Sequence, residues 1–163
     1  RTGAHDATLA HESKALDDER FETVVLRYGL LYGPGTWYAS DGHLTEEVRR
    51  RRLPVVGKGT GITSFLHIDD AASAAVSGLT KGRGIYNVTD DEPAPMSEWL
   101  PGLAAAVGAK PPRRVPVWLA RMVAGPQIAK VAVEGRGASN AKAKAELGWQ
   151  PSIPSWRQGF LRI

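Results

Sequence analysis

The sequence contains no cysteine. This absence excludes disulfide bonds and thiolate metal sites, and it suits a protein from a reducing compartment. No run approaches the roughly 20 apolar residues that a bilayer-spanning helix needs. The N-terminal residues also lack the charged and apolar regions of a signal peptide. We therefore expect a cytoplasmic protein with no membrane partner.

The positive charge is modest, with a formal net charge of +4. The densest basic run is residues 49–52, and Glu46 and Glu47 precede Arg50 and Arg51 by four residues each. This spacing is typical of ion pairs on a solvated helix. No recognised nucleic-acid motif accompanies the run. We expect no nucleic-acid partner, and a basic nucleic-acid patch is the alternative that the charge leaves open.

Strand and helix patterns alternate along the chain, which favours the α/β class. Residues 23–28 and 84–88 are short, largely apolar runs of the kind found in strands buried on both faces. Helical patterns cover about residues 7–20, 44–52, 69–79, 97–107 and 140–147, with a further segment after Pro116. The strands are too few for a complete doubly wound sheet, so the pattern predicts part of such a fold.

A glycine cluster at residues 57–61 resembles a phosphate loop only superficially. A phosphate loop needs its Lys after the last Gly and a helix start directly behind it, and a dinucleotide loop must also open a helix. Here an extended segment, residues 62–68, follows the glycines. The cluster therefore predicts a hairpin-like turn.

Three polar residues, His67, Asp69 and Asp70, follow one another closely at the end of this extended segment. They could in principle form a metal or acid–base cluster. The acidic pair also suits the positive end of the next helix, where carboxylates are stabilised by the helix dipole. We predict this structural role and no metal site.

Four segments together resemble the extended short-chain dehydrogenase/reductase family, its epimerase/dehydratase group, in the order of that family. They are residues 25–35 (VLRYGLLYGPG), 57–72 (GKGTGITSFLHIDDAA), 84–88 (GIYNV) and 144–151 (KAELGWQP). The resemblance implies a partial doubly wound, Rossmann-like parallel sheet with a helical substrate-binding lobe. It also implies that residues 1–163 form one domain, the C-terminal part of such an enzyme, without its N-terminal dinucleotide-binding half.

The resemblance also implies a set of site residues. Ligands of open α/β sheets bind beyond the carboxyl ends of strands. The residues expected beside the nicotinamide are Tyr28, Gly29, Leu30 and Leu31. The residues expected to contact substrate are Tyr32, Pro34, Gly35, Thr36, Trp37 and Thr63. Arg27 is expected to form a structural ion pair, with a substrate clamp as the alternative. Trp37 and Tyr38 could line either the lobe core or the pocket.

No catalytic residue is assigned. The family transfers protons with a Tyr and a Lys four residues later, before the strand that corresponds to residues 24–28. No Tyr precedes Tyr28, and Lys14 has Ala10 at the Tyr position. Lys14 also lies too close to Arg27 for the usual intervening helix. Either the source enzyme is an atypical member of the family, or its Tyr and Lys lie upstream of Arg1.

The resemblance predicts a substrate-side fragment of an NAD(P)-dependent oxidoreductase or epimerase/dehydratase-like enzyme, inactive alone. NAD or NADP would bind the complete enzyme, and neither is expected to bind this chain. The expected partners are a small-molecule substrate and either the missing half or a second copy. A non-catalytic ligand-binding or regulatory module is the alternative.

The resemblance also bears on the class of substrate. Members that act on nucleotide-sugars commonly carry Arg where this chain has Thr63, and often Asn where it has Leu30. Because a neutral hydroxyl cannot replace a guanidinium on a diphosphate, we expect a smaller or less charged ligand. Lys58 could compensate from the adjacent loop, and the sequence leaves this open.

Overall fold

Two parallel strands, β1 (Val24–Tyr28) and β6 (Gly84–Val88), lie side by side in the computed structural model, which describes residues 3–18 and 20–163. Both strands confirm the sequence prediction. Their pattern is typical of strands buried on both faces, but this chain covers them only in part. In β6 only Tyr86 and Val88 are buried, and β1 has no fully buried residue. Within the described residues β1 pairs only with β6, so its second edge stays open.

Three further strand pairs complete the β structure of the described residues. They are β2 (Leu30–Tyr32) with β5 (Phe65–His67), parallel; β3 (Val55–Val56) with β8 (Arg114–Val115), parallel; and β4 (Ile62–Thr63) with β7 (Ala94–Pro95), antiparallel. Parallel pairs joined through helices confirm the α/β class. The hairpin expected at residues 57–61 is wrong, because β3 and β4 pair with distant strands and not with each other.

The extended segment predicted over residues 62–68 divides into two strands. The break falls at Ser64, whose side-chain Oγ accepts a hydrogen bond of 2.9 Å from the backbone N–H of Ala138. On either side, Thr63 pairs with Ala94 and Phe65 pairs with Leu30. Residues 62–67 therefore take part in two strand pairs, an antiparallel one through β4 and a parallel one through β5.

Eight α-helices occur in the described residues, followed by a 3₁₀ turn (Phe160–Arg162). They are α1 (Gly3–Leu16), α2 (His43–Arg49), α3 (Ile68–Gly78), α4 (Met96–Ala106), α5 (Val117–Ala124), α6 (Pro126–Glu134), α7 (Ala141–Leu147) and α8 (Trp156–Gly159). The sequence patterns predicted α1 to α5 and α7 with shifted ends, and missed α6 and α8. No described helix is both long and apolar enough to cross a membrane.

The basic run at residues 49–52 lies at the end of α2 and is paired with acidic side chains, as expected. Glu46 binds Arg50 with an oxygen–nitrogen distance of 2.8 Å. Glu47 pairs with Arg52 at 3.6 Å, and not with Arg51 as its spacing predicted. Arg51 has a positive φ of 55°, which ends the helical spacing before that residue. The run is thus a solvated helix end.

Aromatic rings fill the larger of two hydrophobic clusters. Phe65 packs edge-on against Tyr32, Trp99 and Phe160, with ring centroids 5.2–6.3 Å apart. Edge-to-face contacts of this kind add stabilisation beyond the apolar area they bury. The smaller cluster lies between β6, α3 and α7 and includes Tyr86 and Leu147. The larger cluster supports the strand ends that border the candidate site.

Two buried carboxylates hold the C-terminal segment against the sheet. Asp70 accepts hydrogen bonds from the backbone N–H and hydroxyl of Ser152, both at 2.7 Å, and from the N–H of Ile153 at 3.1 Å. Asp90 accepts from the N–H of Trp156 at 2.8 Å. Burial raises the pKa of Asp90 to about 7. Of the acidic pair 69–70, Asp70 therefore binds residues far along the chain, at Ser152 and Ile153.

Candidate functional site

An apolar pocket of about 280 Å³ lies where the β2 and β4 strands meet helices α2, α4 and α6. Pockets of small-molecule sites are commonly concave, mostly apolar and provided with few polar groups. The lining residues are Leu30, Tyr38, Leu44, Leu53, Gly61, Thr63, Met96, Trp99, Gln127, Ile128, Val131 and Ala132. None of these twelve side chains carries a charge.

Adjacent backbone segments bring Leu30 and Thr63 to the same pocket. The N–H of Leu30 donates a 2.9 Å hydrogen bond to the carbonyl of Ser64, next to Thr63. Gly29 lies so close that a Cβ there would stand 2.8 Å from the same carbonyl oxygen. Glycine is therefore required for this close approach. It lets β2 run directly beside the strand that carries Thr63.

The turn after β2 separates two aromatic neighbours. The hydroxyl of Thr36 donates to the carbonyl of Gly33 at 2.8 Å, and it accepts from the N–H of Tyr38 at 3.3 Å. The resulting turn leaves Trp37 72% exposed and Tyr38 only 7% exposed. Trp37 therefore lies neither in the core nor in the pocket wall, whereas Tyr38 lines the pocket and also packs in the core.

Tyr38 is framed by two other rings. Its ring centroid lies 5.7 Å from that of Phe65 and 6.3 Å from that of Trp99, both edge-on. Burial raises the pKa of Tyr38 to about 12. Its phenol therefore stays protonated at any physiological pH and remains able to donate a hydrogen bond.

A second, more polar groove of about 380 Å³ lies near the start of α7. Its main polar groups bind one another. The side-chain amide of Asn140 donates to the carbonyl of Thr89 at 2.8 Å and to the Asp91 carboxylate at 2.7 Å. Lys144 also binds Asp91 at 2.7 Å. Because these groups already have partners, the apolar pocket is the better candidate for a ligand site.

The residues expected beside a nicotinamide lie together at the end of β1 and in β2. Tyr28 and Leu30 are exposed, and Leu31 is half-buried. The Tyr28 hydroxyl donates to the carbonyl of Ala71 at 3.2 Å, and burial raises its pKa. Of these four residues only Leu30 also lines the apolar pocket.

The residues expected to contact substrate are dispersed. Tyr32 is fully buried in the aromatic core, and Pro34 and Gly35 border a separate groove of about 430 Å³. Thr36 maintains the turn, and Trp37 points to solvent. Thr63 alone among these six lines the apolar pocket. The structure thus brings together Leu30 and Thr63, one residue from each expected set.

Sequence reasoning missed most of the pocket wall. Leu44 and Trp99 lie in predicted helices that were given no pocket role, Leu53 and Met96 lie just outside those helices, and α6 was not predicted at all. The sequence does contain a signal for α6, the pair Gly125–Pro126. In the structure Gly125 has a positive φ of 89°, and Pro126 occupies the first turn of the helix. Proline is well suited to that position.

Arg27 forms the structural ion pair that was expected. Its Nε donates to Glu12 Oε1 at 2.9 Å, and its second nitrogen contacts the other oxygen of the same carboxylate. This bidentate contact ties β1 to α1. Lys14, on the same helix, is exposed. Within α1, Ala10 precedes Lys14 by four residues, so the described part of the helix presents no Tyr–Lys pair.

The neighbouring polar residues have structural partners. The Nδ1 of His67 accepts a 3.2 Å hydrogen bond from the N–H of Asp69 and caps helix α3. Asp70 binds the C-terminal segment, as described above. Among residues 3–18 and 20–163 no group of three or more His, Asp or Glu side chains could hold a metal ion.

The comparisons with known proteins agree with this architecture. The 3-diazoavenalumate denitrifying reductase of a Streptomyces species is 49% identical over 140 residues, 85% of this chain and 46% of that protein. The 2-alkyl-3-oxoalkanoate reductase of Stenotrophomonas maltophilia is 37% identical over 102 residues, 58% of this chain and 31% of that protein. The chain thus spans less than half the length of these curated relatives.

Among solved structures, the human epimerase family protein SDR39U1 with NADPH superimposes with a TM-score of 0.81 at 23% identity. The match covers 98% of this chain and 54% of that one, and it shows that the fold is shared. The model of the NAD dependent epimerase/dehydratase family matches residues 4–89, which is more than half of the chain. The chain belongs to the NAD-dependent epimerase/dehydratase family.

Proposed function

We propose that this chain is the substrate-side portion of an NAD(P)-dependent reductase, and that its apolar pocket receives the uncharged body of a small organic substrate. One observation carries the proposal: none of the twelve side chains that line the pocket is charged. A charged group of a ligand would lose its hydration in this pocket without gaining a counter-ion. Burial of an unpaired charge costs at least about several kcal/mol of free energy.

Reduction is favoured over epimerisation or dehydration by the two curated relatives. Both are named as reductases, and one is 49% identical over most of this chain. Neither name denotes a nucleotide-sugar. This supports the expectation from Thr63 and Leu30 that the substrate lacks a diphosphate.

The position of Lys58 bears on whether it could compensate for the Arg that Thr63 replaces. This side chain is exposed and is not among the pocket-lining residues. The pocket wall around Thr63 is instead apolar, with Leu30 and Ala132 nearby. A compensating phosphate contact from Lys58 therefore has no support in the geometry of this pocket.

We propose that the described residues of this chain do not build a dinucleotide site by themselves. The glycines at 57–61 lead into strand β4 and not into a helix, so they lack the amide donors of a helix start that bind phosphates. In the complete enzyme a nicotinamide cofactor would supply hydride to the substrate. We propose that Tyr28, Gly29, Leu30 and Leu31 border its ring, because they follow the carboxyl end of a parallel strand.

A second candidate is a non-catalytic ligand-binding or regulatory module. The observation that favours it is α1, where Ala10 stands four residues before Lys14 and no described Tyr takes the family's acid–base position. The two candidates share the apolar pocket. They differ in whether an NAD(P)H-dependent reduction of the bound ligand can be measured when this chain is part of the full-length protein.

Calorimetric titration tests the substrate class directly. The chain is titrated with benzylideneacetone, an uncharged aromatic ketone, and separately with UDP-glucose. We expect saturable binding of the ketone and no heat of binding with UDP-glucose. Tight binding of UDP-glucose, or binding of neither compound, would contradict the proposal.

A further inference from the structure

The phenol of Tyr38 has no hydrogen-bond partner within residues 3–18 and 20–163, although this side chain is 7% exposed and lines the apolar pocket. Its backbone N–H binds Thr36. Its hydroxyl is not among the inaccessible unpaired side-chain atoms, so it keeps some exposure to solvent. Buried tyrosine hydroxyls usually find a protein partner, whereas this one is left to water or to a ligand. The pocket wall therefore includes a residue whose hydroxyl has no acceptor among the described residues.

The position of Tyr38 is fixed by its surroundings. The turn that holds its backbone is closed by the Thr36 hydroxyl, and the N–H of Leu44 donates to the carbonyl of Trp37 at 3.0 Å. Gly42 packs directly against that same carbonyl, where no Cβ could fit. The rings of Phe65 and Trp99 confine the phenol from the side. A donor held in this way loses little conformational entropy when it binds a ligand.

We infer that the Tyr38 hydroxyl is the hydrogen-bond donor that recognises a neutral carbonyl oxygen of the ligand in the apolar pocket. This inference rests on the proposed function, since it assigns a role within the same pocket. It names an apolar ketone or aldehyde as the ligand class.

The neutral oxygen follows from the charges around the pocket. A carboxylate or phosphate would need a cationic partner, and the lining contains neither Lys nor Arg. A ligand cation would need an acidic partner, and the lining contains neither Asp nor Glu. A carbonyl oxygen needs only a donor, which a protonated phenol supplies.

Other polar groups of the lining are less suitable. Gln127 is exposed on α6, and Thr63 is half-buried in β4. The indole Nε1 of Trp99 also lacks a partner, but this atom is almost inaccessible. Tyr38 therefore combines burial, a free hydroxyl and contact with the pocket, which makes it a specificity-determining residue.

The test compares two ligands that differ in one atom group. The first is benzylideneacetone, and the second is the hydrocarbon in which a CH₂ group replaces its carbonyl oxygen. Dissociation constants are measured by ligand-observed NMR for the wild-type chain, Tyr38→Phe and Thr45→Val. Thr45→Val is the matched control. It also removes a buried hydroxyl that has no hydrogen-bond partner, but Thr45 does not line the pocket.

Wild type and Thr45→Val should bind the ketone about fivefold more tightly than the hydrocarbon, the ratio typical of one neutral hydrogen bond. Tyr38→Phe should abolish this preference and leave the affinity for the hydrocarbon unchanged. A preference that survives in Tyr38→Phe overturns the inference. Equal binding of both ligands by wild type also overturns it, while leaving the proposed function intact. Failure of both ligands to bind would contradict the proposed function itself.

Discussion

The carboxylate of Asp90 accepts a 2.8 Å hydrogen bond from the backbone N–H of Trp156, at the first residue of helix α8. Asp90 follows β6, so this bond ties the C-terminal helix to the end of a central strand. Asp90 has no cationic partner in the described part of the chain, and burial raises its pKa to about 7, helped by the negative charges of Glu92 and Asp91. The carboxyl group is thus favoured in its protonated form.

Stability should therefore fall as Asp90 ionises. Its pKa is raised from 3.8 in the unfolded chain to about 7 in the folded one. The stability that the protonated carboxyl group provides is therefore complete below about pH 4 and is lost as the pH rises to about 7. Linkage gives a loss of up to about 1.4 kcal/mol per pH unit in this window. Urea unfolding at pH 5, 6, 7 and 8 measures this slope. Asp90→Asn should flatten it, and the exposed Asp41→Asn should not; an unchanged slope in Asp90→Asn would contradict the assignment.

Arg27→Lys should lower the free energy of unfolding by about 1 kcal/mol, because Lys cannot form the bidentate contact with Glu12. The pair is partly exposed, which keeps the expected effect small. Arg20→Lys is the control, since Arg20 binds Asp18 on the open surface and should leave the unfolding midpoint unchanged. Chemical denaturation of both variants decides the matter: equal effects would mean that the Arg27 pair does not anchor β1.

Tyr32 is tested by a double-mutant cycle with Gly159. The Tyr32 hydroxyl is buried without a partner and packs directly against Gly159, where a Cβ would clash with the phenol. Gly159→Ala should therefore destabilise the chain by about 1–3 kcal/mol. Adding Tyr32→Phe removes the hydroxyl and should recover part of this loss. Strict additivity in thermal unfolding would show that the two residues do not meet in the core.

Several elements could be predicted from the sequence because their signals are local. The β6 strand has the predicted bounds, and the acidic start of α3 was expected from Asp69 and Asp70. The pairing at residues 57–61 could not be predicted in this way. Val55 pairs with Arg114 and Thr63 pairs with Ala94, so partners at large sequence separation decide whether a glycine turn becomes a hairpin.

The pocket was harder to predict for a related reason. Leu30 and Thr63 were recognised through the family resemblance, whereas Met96, Trp99 and Val131 carry only an apolar pattern. An apolar side chain on a helix gives the same signal whether it faces the core or a cavity. Tertiary packing of α4 and α6 makes that distinction.

The isolated chain should bind neither NAD nor NADP with micromolar affinity. The glycines at 57–61 open no helix, so the described residues offer no helix start there for a pyrophosphate. Calorimetric titration with each cofactor measures this, and benzylideneacetone serves as the positive control for a folded pocket. Micromolar binding of either cofactor would mean that the chain holds a dinucleotide by other means.

The central claim is that the apolar pocket is the ligand site, and a pair of valines tests it most directly. Val131 lines the pocket and is 59% exposed, whereas Val123 lies outside it on α5 and is 80% exposed. A Trp can therefore be placed at either position without entering the core. Val131→Trp should reduce the affinity for benzylideneacetone at least about tenfold, the effect of losing about 1.4 kcal/mol of binding free energy. Val123→Trp should retain wild-type affinity. Equal affinities of the two variants and wild type would contradict the claim.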